Sequence, residues 1–158
     1  MKKFSVLIAF ALTLCLAACG FGGASDEPVS LDVAAISSGI SSTELFIDSL
    51  APIANERVAD LIGLDLTNCL YYEFHTGAGA SGEEWGVFEC DSVDSAKALV
   101  SQLEAHRDSM LETYESYAPD AVPRLENAVI ERAGQYVVYI TAENYSEAKT
   151  LASSLLAA

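Results

Sequence analysis

The stretch from Val93 to Tyr117 constrains the fold of this chain more than any other. Its apolar and aromatic positions, Val93, Ala96, Val100, Leu103, Met110, Tyr114 and Tyr117, step by threes and fours, and Arg107 is the one polar member of the series. That period belongs to an α-helix with one face turned to a core. Asp91 or Ser92 is placed to cap its start, acids crowd the first turn, where the helix dipole favours them, and Pro119 bounds the end. A helix of 25 residues is about 37 Å long at about 1.5 Å per residue. A strand of seven or eight residues reaches only about 25 Å. Such a helix laid on a sheet should overhang it by about two turns, unless the preceding helices cover the excess.

Strand signals lie on both sides of this helix. "NCLYYEFHT" and "EEWGVFEC" precede it, and "NAVIER" and "QYVVYITA" follow, joined at Ala133-Gly134. Upstream, "SLDVAAISSGI" reads as a short helix that Ser30 can cap, and "ANERVADLIG" as another, ended by Gly63. Between them Ser41 to Glu44 forms a capping-box pattern before "LFIDSL", a run that Pro52 breaks. Asn144 to Glu147 is a further capping pattern, opening a closing helix with Ala148, Leu151, Ala152 and Leu155 on one side. The order ααββαββα predicts an α+β fold, a four-stranded antiparallel sheet from two hairpins with helices packed on one face.

The N-terminus carries an address. Met1-Lys2-Lys3 precedes the apolar run "FSVLIAFALTLCLAA". That run is too short for a finished span, which needs roughly 20 apolar residues, and it fits a secretory signal peptide over residues 1–18. Leu16-Ala17-Ala18-Cys19, followed by Gly20, resembles the bacterial lipobox. The resemblance implies a diacylglyceryl group on the Cys19 thiol and cleavage before it. Two acyl chains turn marginal membrane binding into stable anchoring. Residues 19–30, rich in Gly, Ser, Pro and acid, then read as the lipidated cysteine and a flexible tether, and residues 31–158 as a single domain. The implied location is the outer face of a bacterial cytoplasmic membrane. Losing Lys2 and Lys3 with the signal leaves 6 cations against 23 acids, a formal charge of −17. Such a surface repels nucleic acid, and no nucleic-acid partner is expected.

The motifs that suggest chemistry are weak. Gly77-Ala78-Gly79-Ala80-Ser81-Gly82 spells GxGxxG but leads into a strand and not a helix, and Glu83-Glu84 would repel phosphates; a hairpin loop is expected, with no cofactor. His75 and His106 are the only histidines, and no zinc or EF-hand spacing accompanies them. They read as surface or edge residues, and Glu83-Glu84 as acids that keep a hairpin edge soluble. Cys69 and Cys90 remain once the signal and the lipidated residue are set aside. Pairing His75 with Glu84 puts Glu73 opposite Gly86, Tyr71 opposite Phe88 and Cys69 opposite Cys90. Two readings of that pair stand: a disulfide closing the hairpin, or two reduced, half-buried thiols. Arg107 either lays its stem along the apolar face with its head in water, pairs with an acid of the sheet, or receives a ligand carboxylate. If the long helix overhangs, Leu111, Tyr114 and Tyr117 offer an aromatic contact patch.

With the lipobox, "GEEWGVFECDSVDSAKAL", "HRDSMLETYESYAP" and "NAVIERAGQYVVYIT" together, the chain resembles a family of bacterial lipoproteins catalogued as domain of unknown function 4358. Glu84, Arg107, Tyr117 with Pro119, and Gly134 with Tyr136 and Val137 carry the resemblance, which covers about residues 31–155. It implies a lipid-anchored protein outside a Gram-positive-type cytoplasmic membrane and supplies no activity. The expected role is a membrane-anchored binding or interaction module whose protein partner or small ligand is not specified. The alternatives are a hydrolase-like cell-envelope enzyme using Glu84, His75 or His106, and a small-molecule or cation-binding lipoprotein.

Overall fold

The computed structural model describes residues 26–157. The signal peptide and Cys19 lie outside the described residues. Helix α1 (Val33–Ser41) starts at Asp32, whose carboxylate accepts from the amides of Ala34 at 3.0 Å and Ala35 at 3.2 Å, so Asp32 and not Ser30 is the cap. Helix α2 (Asn55–Ile62) ends at Gly63, whose φ of 77° only glycine adopts without strain. Between them the capping-box segment makes no helix; it runs as coil into a short strand, β1 (Leu50–Pro52). Pro52 is tolerated there because β1 is an edge strand.

Strands β2 (Cys69–Gly77) and β3 (Glu84–Cys90) form the first expected hairpin, and β4 (Val129–Ala133) and β5 (Tyr136–Thr141) the second. Gly134, at φ 55°, takes the first position of the two-residue β4–β5 loop. The sheet has five strands, not four, in the order β1-β2-β3-β5-β4, and every neighbouring pair is antiparallel. Helix α3 (Val93–Tyr117) is capped by the Ser92 hydroxyl, which accepts from the Ser95 amide at 3.2 Å. Besides β1, two elements lie outside the expected order: a 3-10 turn over Pro119–Ala121 and the short helix α4 (Val122–Glu126). Helix α5 (Tyr145–Leu156) closes the chain.

Helices cover both faces of the sheet, which corrects the expected one-faced arrangement. Trp85, Val87, Tyr136, Val138 and Ile140 pack with Ile36 and Ile40 of α1 and Ala148, Ala152 and Leu156 of α5. Phe74, Phe88, Val137 and Tyr139 pack with Val58 of α2 and Ala96, Leu99 and Leu103 of α3. Every residue of β5 is buried. Both sides of that strand meet apolar partners, so its sequence shows no polar alternation.

Leu103 is the last fully buried residue of α3. The chain after the helix folds back on its later turns. Tyr114, Ala121 and Leu125 gather over Gly82, each within about 3.6 Å of the place a Cβ would occupy. The excess length is therefore covered in part by the segment after the helix.

The register of β2 on β3 is one residue away from the expected one over most of its length. Thr76, not His75, faces Glu84, Phe74 faces Gly86 and Tyr72 faces Phe88. A bulge between Cys69 and Tyr71 restores the remaining pair, and Cys69 faces Cys90. The last residues of the expected tether are docked. Asp26 pairs with Lys97 at 3.1 Å and Arg132 at 2.7 Å, and the Gln135 amide both donates to the Val29 carbonyl at 2.7 Å and accepts from the Val29 amide at 3.1 Å.

Candidate functional site

A groove of about 550 Å³ lies between the C-terminal end of α2 and the second half of α3. Asp60 and Leu61 form one wall, and Met110, Thr113 and Tyr114 the other. His106 also lines the groove. Its Nε2 sits 2.8 Å from Glu84 Oε2 at the start of β3, with the two side chains 12 % and 7 % exposed. The other oxygen of Glu84 accepts from the Thr76 hydroxyl at 3.2 Å. Opposite an ionised carboxylate, which only accepts, an imidazole donates through the nitrogen that meets it, here Nε2.

The fold holds this dyad firmly. The His106 ring stands edge-on to Phe74 and to Tyr139, with centroids 6.2 and 5.9 Å away. The Glu84 amide donates to the Thr141 hydroxyl at 2.8 Å, and that hydroxyl donates to the Gly82 carbonyl at 2.7 Å. Burial, with the Glu84 charge added, pushes the Tyr139 phenol well above its usual range. Burial and the same carboxylate raise Tyr114 at the groove wall.

A second histidine–carboxylate pair occupies the opposite face. His75 Nε2 lies 2.7 Å from Glu73 Oε1, while the Tyr71 hydroxyl donates to Glu73 Oε2 at 2.9 Å. The His75 ring stacks on Trp85 at 4.0 Å and 13°. Burial opposes the Glu73 charge, but hydrogen bonds from His75, Ser37 and Tyr71 outweigh it and hold the carboxyl below its usual range. In both networks the carboxylate is the hub, and hydroxyl and imidazole both end on it. A nucleophile-activating triad instead places the imidazole between hydroxyl and carboxylate.

Neither histidine is therefore a free surface residue, and the acid pair is not a solvated edge. Glu83 is 1 % exposed and Glu84 5 %. Glu84 opens β3 and Glu83 ends the loop before it, and their side chains meet different partners. The Glu83 carboxylate accepts from the backbone amides of Ile47, Asp48 and Glu143, each at 2.9 Å, and so binds three segments together. The loop that spells GxGxxG joins β2 to β3 and is held by Asp48, which accepts from the Gly79 amide at 3.2 Å and the Ser81 hydroxyl at 3.1 Å.

Arg107 does not join the buried stripe of its helix. Its guanidinium pairs with Asp108 of its own helix at 2.7 Å, with the side chain 26 % exposed. The buried stripe of α3 runs through Ala96, Leu99 and Leu103, and its next step is His106, one residue before Arg107. Leu111 and Tyr114 are half-buried, while Tyr117 is 70 % exposed and meets Tyr114 edge-on at 6.0 Å. Cys69 is half-buried and Cys90 buried, both as thiols, with sulfurs 3.8 Å apart. Thr76 and Tyr139, which complete the His106 environment, were not singled out from the sequence. The available signal was a histidine at a stripe position of a helix. Among the described residues no group of three or more His, Cys, Asp or Glu is placed to hold a metal ion, and no helix is long and apolar enough to cross a membrane.

The family described as Domain of unknown function (DUF4358) matches residues 53–142. The chain belongs to this family. The match includes α2, both hairpins and α3, and with them the groove and the His106–Glu84 pair. Neither the curated proteins nor the solved structures contain a match to the chain.

Proposed function

We propose that this DUF4358 chain is a lipid-anchored extracytoplasmic binding module, held through Cys19, whose groove between α2 and α3 receives a cationic hydrogen-bonding group. One observation carries the choice of ligand: the His106–Glu84 dyad opens into a groove whose lining has an acid, Asp60, and no lysine or arginine. The C-terminal residues of α2 face the same space, and the carbonyl end of a helix favours positive charge. His106 brings a hydrogen-bonding imidazole to the groove, with the Glu84 carboxylate behind it. The hub position of both carboxylates gives the enzyme reading less support than binding.

The docked end of the tether gives a length to compare. The seven steps from Cys19 to Asp26 reach at most about 25 Å. Asp26 is fixed near the start of α3, and Tyr114 lies 17 residues beyond Lys97, about 26 Å along the helix. The far end of the groove then lies about a tether's length along α3 from the point where the tether docks.

A short alkyl diamine and a dicarboxylate of equal length, titrated into 15N-labelled protein, test the site. The diamine should shift the amides of Gln102, His106 and Thr113, and Glu84→Gln should weaken that response at least tenfold. Equal response to both probes, or response only to the dicarboxylate, would overturn the ligand assignment. The anchor has its own test: membrane-extracted protein should carry the diacylglyceryl mass at Cys19, and unmodified Cys19 refutes it.

A further inference from the structure

The bulge in β2 serves one visible purpose. Continuing the pairing of Tyr71 with Glu89 would set Leu70 against Cys90 and Cys69 against Asp91. Leu70 is instead extruded, 70 % exposed, and Cys69 comes to face Cys90. The Asp91 amide donates to the Asn68 carbonyl at 2.9 Å, just outside the cysteine pair. That bond marks Cys69 and Cys90 as a non-hydrogen-bonded pair, the closer of the two antiparallel kinds, with Cα atoms about 4.5 Å apart. A disulfide accepts Cα separations of about 4.4–6.8 Å. The sulfurs already stand 3.8 Å apart.

The geometry points to Cys69 and Cys90 as a dithiol that closes the β2–β3 hairpin by exchange with an external disulfide. Cys69 is the entry sulfur, because it is half-exposed while Cys90 is buried. Its thiolate attacks one sulfur of the external disulfide, and the departing thiolate takes up a proton. The Cys90 thiol then gives its proton to solvent, and its sulfur attacks the Cys69 sulfur. The second external thiolate leaves and is protonated. Two protein thiols are oxidised and one external disulfide is reduced to two thiols. The pair's electrostatics fit this order. The hydrogen bond from Cys90 lowers the Cys69 thiol. The Cys69 sulfur, then burial, raise Cys90, and the first of these is removed once Cys69 is in the mixed disulfide. Oxidation in the cell rests on the extracytoplasmic address proposed above; the chemistry itself does not.

The test uses the full chain equilibrated with oxidised and reduced glutathione, alkylated before and after reduction, and read by peptide mapping. Cys69 and Cys90 should resist alkylation until reduced, and reduction should lower Tm by about 10 °C, as expected for a bond enclosing some twenty residues. Cys90→Ala should trap glutathione on Cys69, whereas Cys69→Ala should leave Cys90 unmodified. Two freely alkylated thiols in oxidised wild-type protein would overturn the proposal, as would glutathione trapped on Cys90 and not on Cys69. The same mapping on protein from cells separates address from chemistry: thiols there, with a disulfide in glutathione, would count against the address alone.

Discussion

Replacing Glu83 with glutamine should be among the most damaging isosteric changes available to this domain. Glu83 Oε2 accepts from the amides of Ile47 and Asp48, and Oε1 accepts from that of Glu143, all at 2.9 Å, in a side chain 1 % exposed. Glutamine keeps one acceptor oxygen. Turned toward Ile47 and Asp48, it presents its NH2 to the Glu143 amide, donor against donor. One charge-assisted hydrogen bond is lost, at about 1.5–3 kcal/mol, and two fall from charged to neutral strength, at roughly 0.5 kcal/mol each. The sum is about 3 kcal/mol, or about 12 °C in Tm for a domain of this size. Glu83→Ala leaves all three amides without a protein partner and should cost about 4–5 kcal/mol, with entering water supplying part of the satisfaction. Urea denaturation measures the change. Hydrogen exchange locates it, since the amides of Ile47, Asp48 and Glu143 should lose protection together. Glu44→Gln, at an exposed position, should stay within about 0.5 kcal/mol. A Glu83→Gln protein within 1 kcal/mol of wild type, with those three amides still protected, would refute the view that this carboxylate ties the loops together.

Gly86→Ala should lower the urea midpoint by about 1–3 kcal/mol in stability, because a Cβ there would lie 2.7 Å from Phe74 and 2.8 Å from Phe88, both fully buried; unchanged stability would mean that the rings shift freely. The Asp26 end of the docked tether should release in acid. Hydrogen bonds from Lys97 and Arg132 hold the Asp26 carboxyl below its usual value, so its contribution is present above the ordinary carboxylate value of about 3.9 and is lost as pH falls through the lowered one. Backbone 15N relaxation should therefore show residues 26 and 27 ordered at pH 6 and losing order as acid protonates Asp26, while Val29, held by the Gln135 amide, stays ordered. Order at residues 26 and 27 that is the same in an Asp26→Asn protein would remove Asp26 from the clip.

The elements whose local pattern matched their environment were readable from the sequence. Val93–Tyr117 is helical over the expected span, and Ser92 caps it. Gly63 and Gly134 sit where a helix end and a hairpin loop need them. What escaped detection depended on partners distant in sequence. "YVVYIT" carries no alternation because α1 and α5 cover one side of it and α3 the other, yet a buried run by itself does not say how many layers surround it. The bulge at Leu70 shifted the hairpin register, and the cysteine pairing is observed only because a register error of one and a bulge of one cancel. The sequence period runs the stripe of α3 through Arg107 because Val100 and Leu103 fit that line. Leu99, Leu103 and His106 fit equally well, and the sheet chose them.

Adjacent acids at the mouth of β3 thus came to different ends. Glu83 is held by three backbone amides of surrounding segments. Those donors have no rotamers to change, and a carboxylate so held has no spare proton acceptor to offer a ligand. Glu84 is held by side chains, the Thr76 hydroxyl and the His106 imidazole, and the latter borders open space. An imidazole can pass a contact made at its ring to the carboxylate behind it. Backbone amides cannot. The step from the loop into β3 therefore separates a carboxylate that fixes the loops from one that backs the histidine lining the groove.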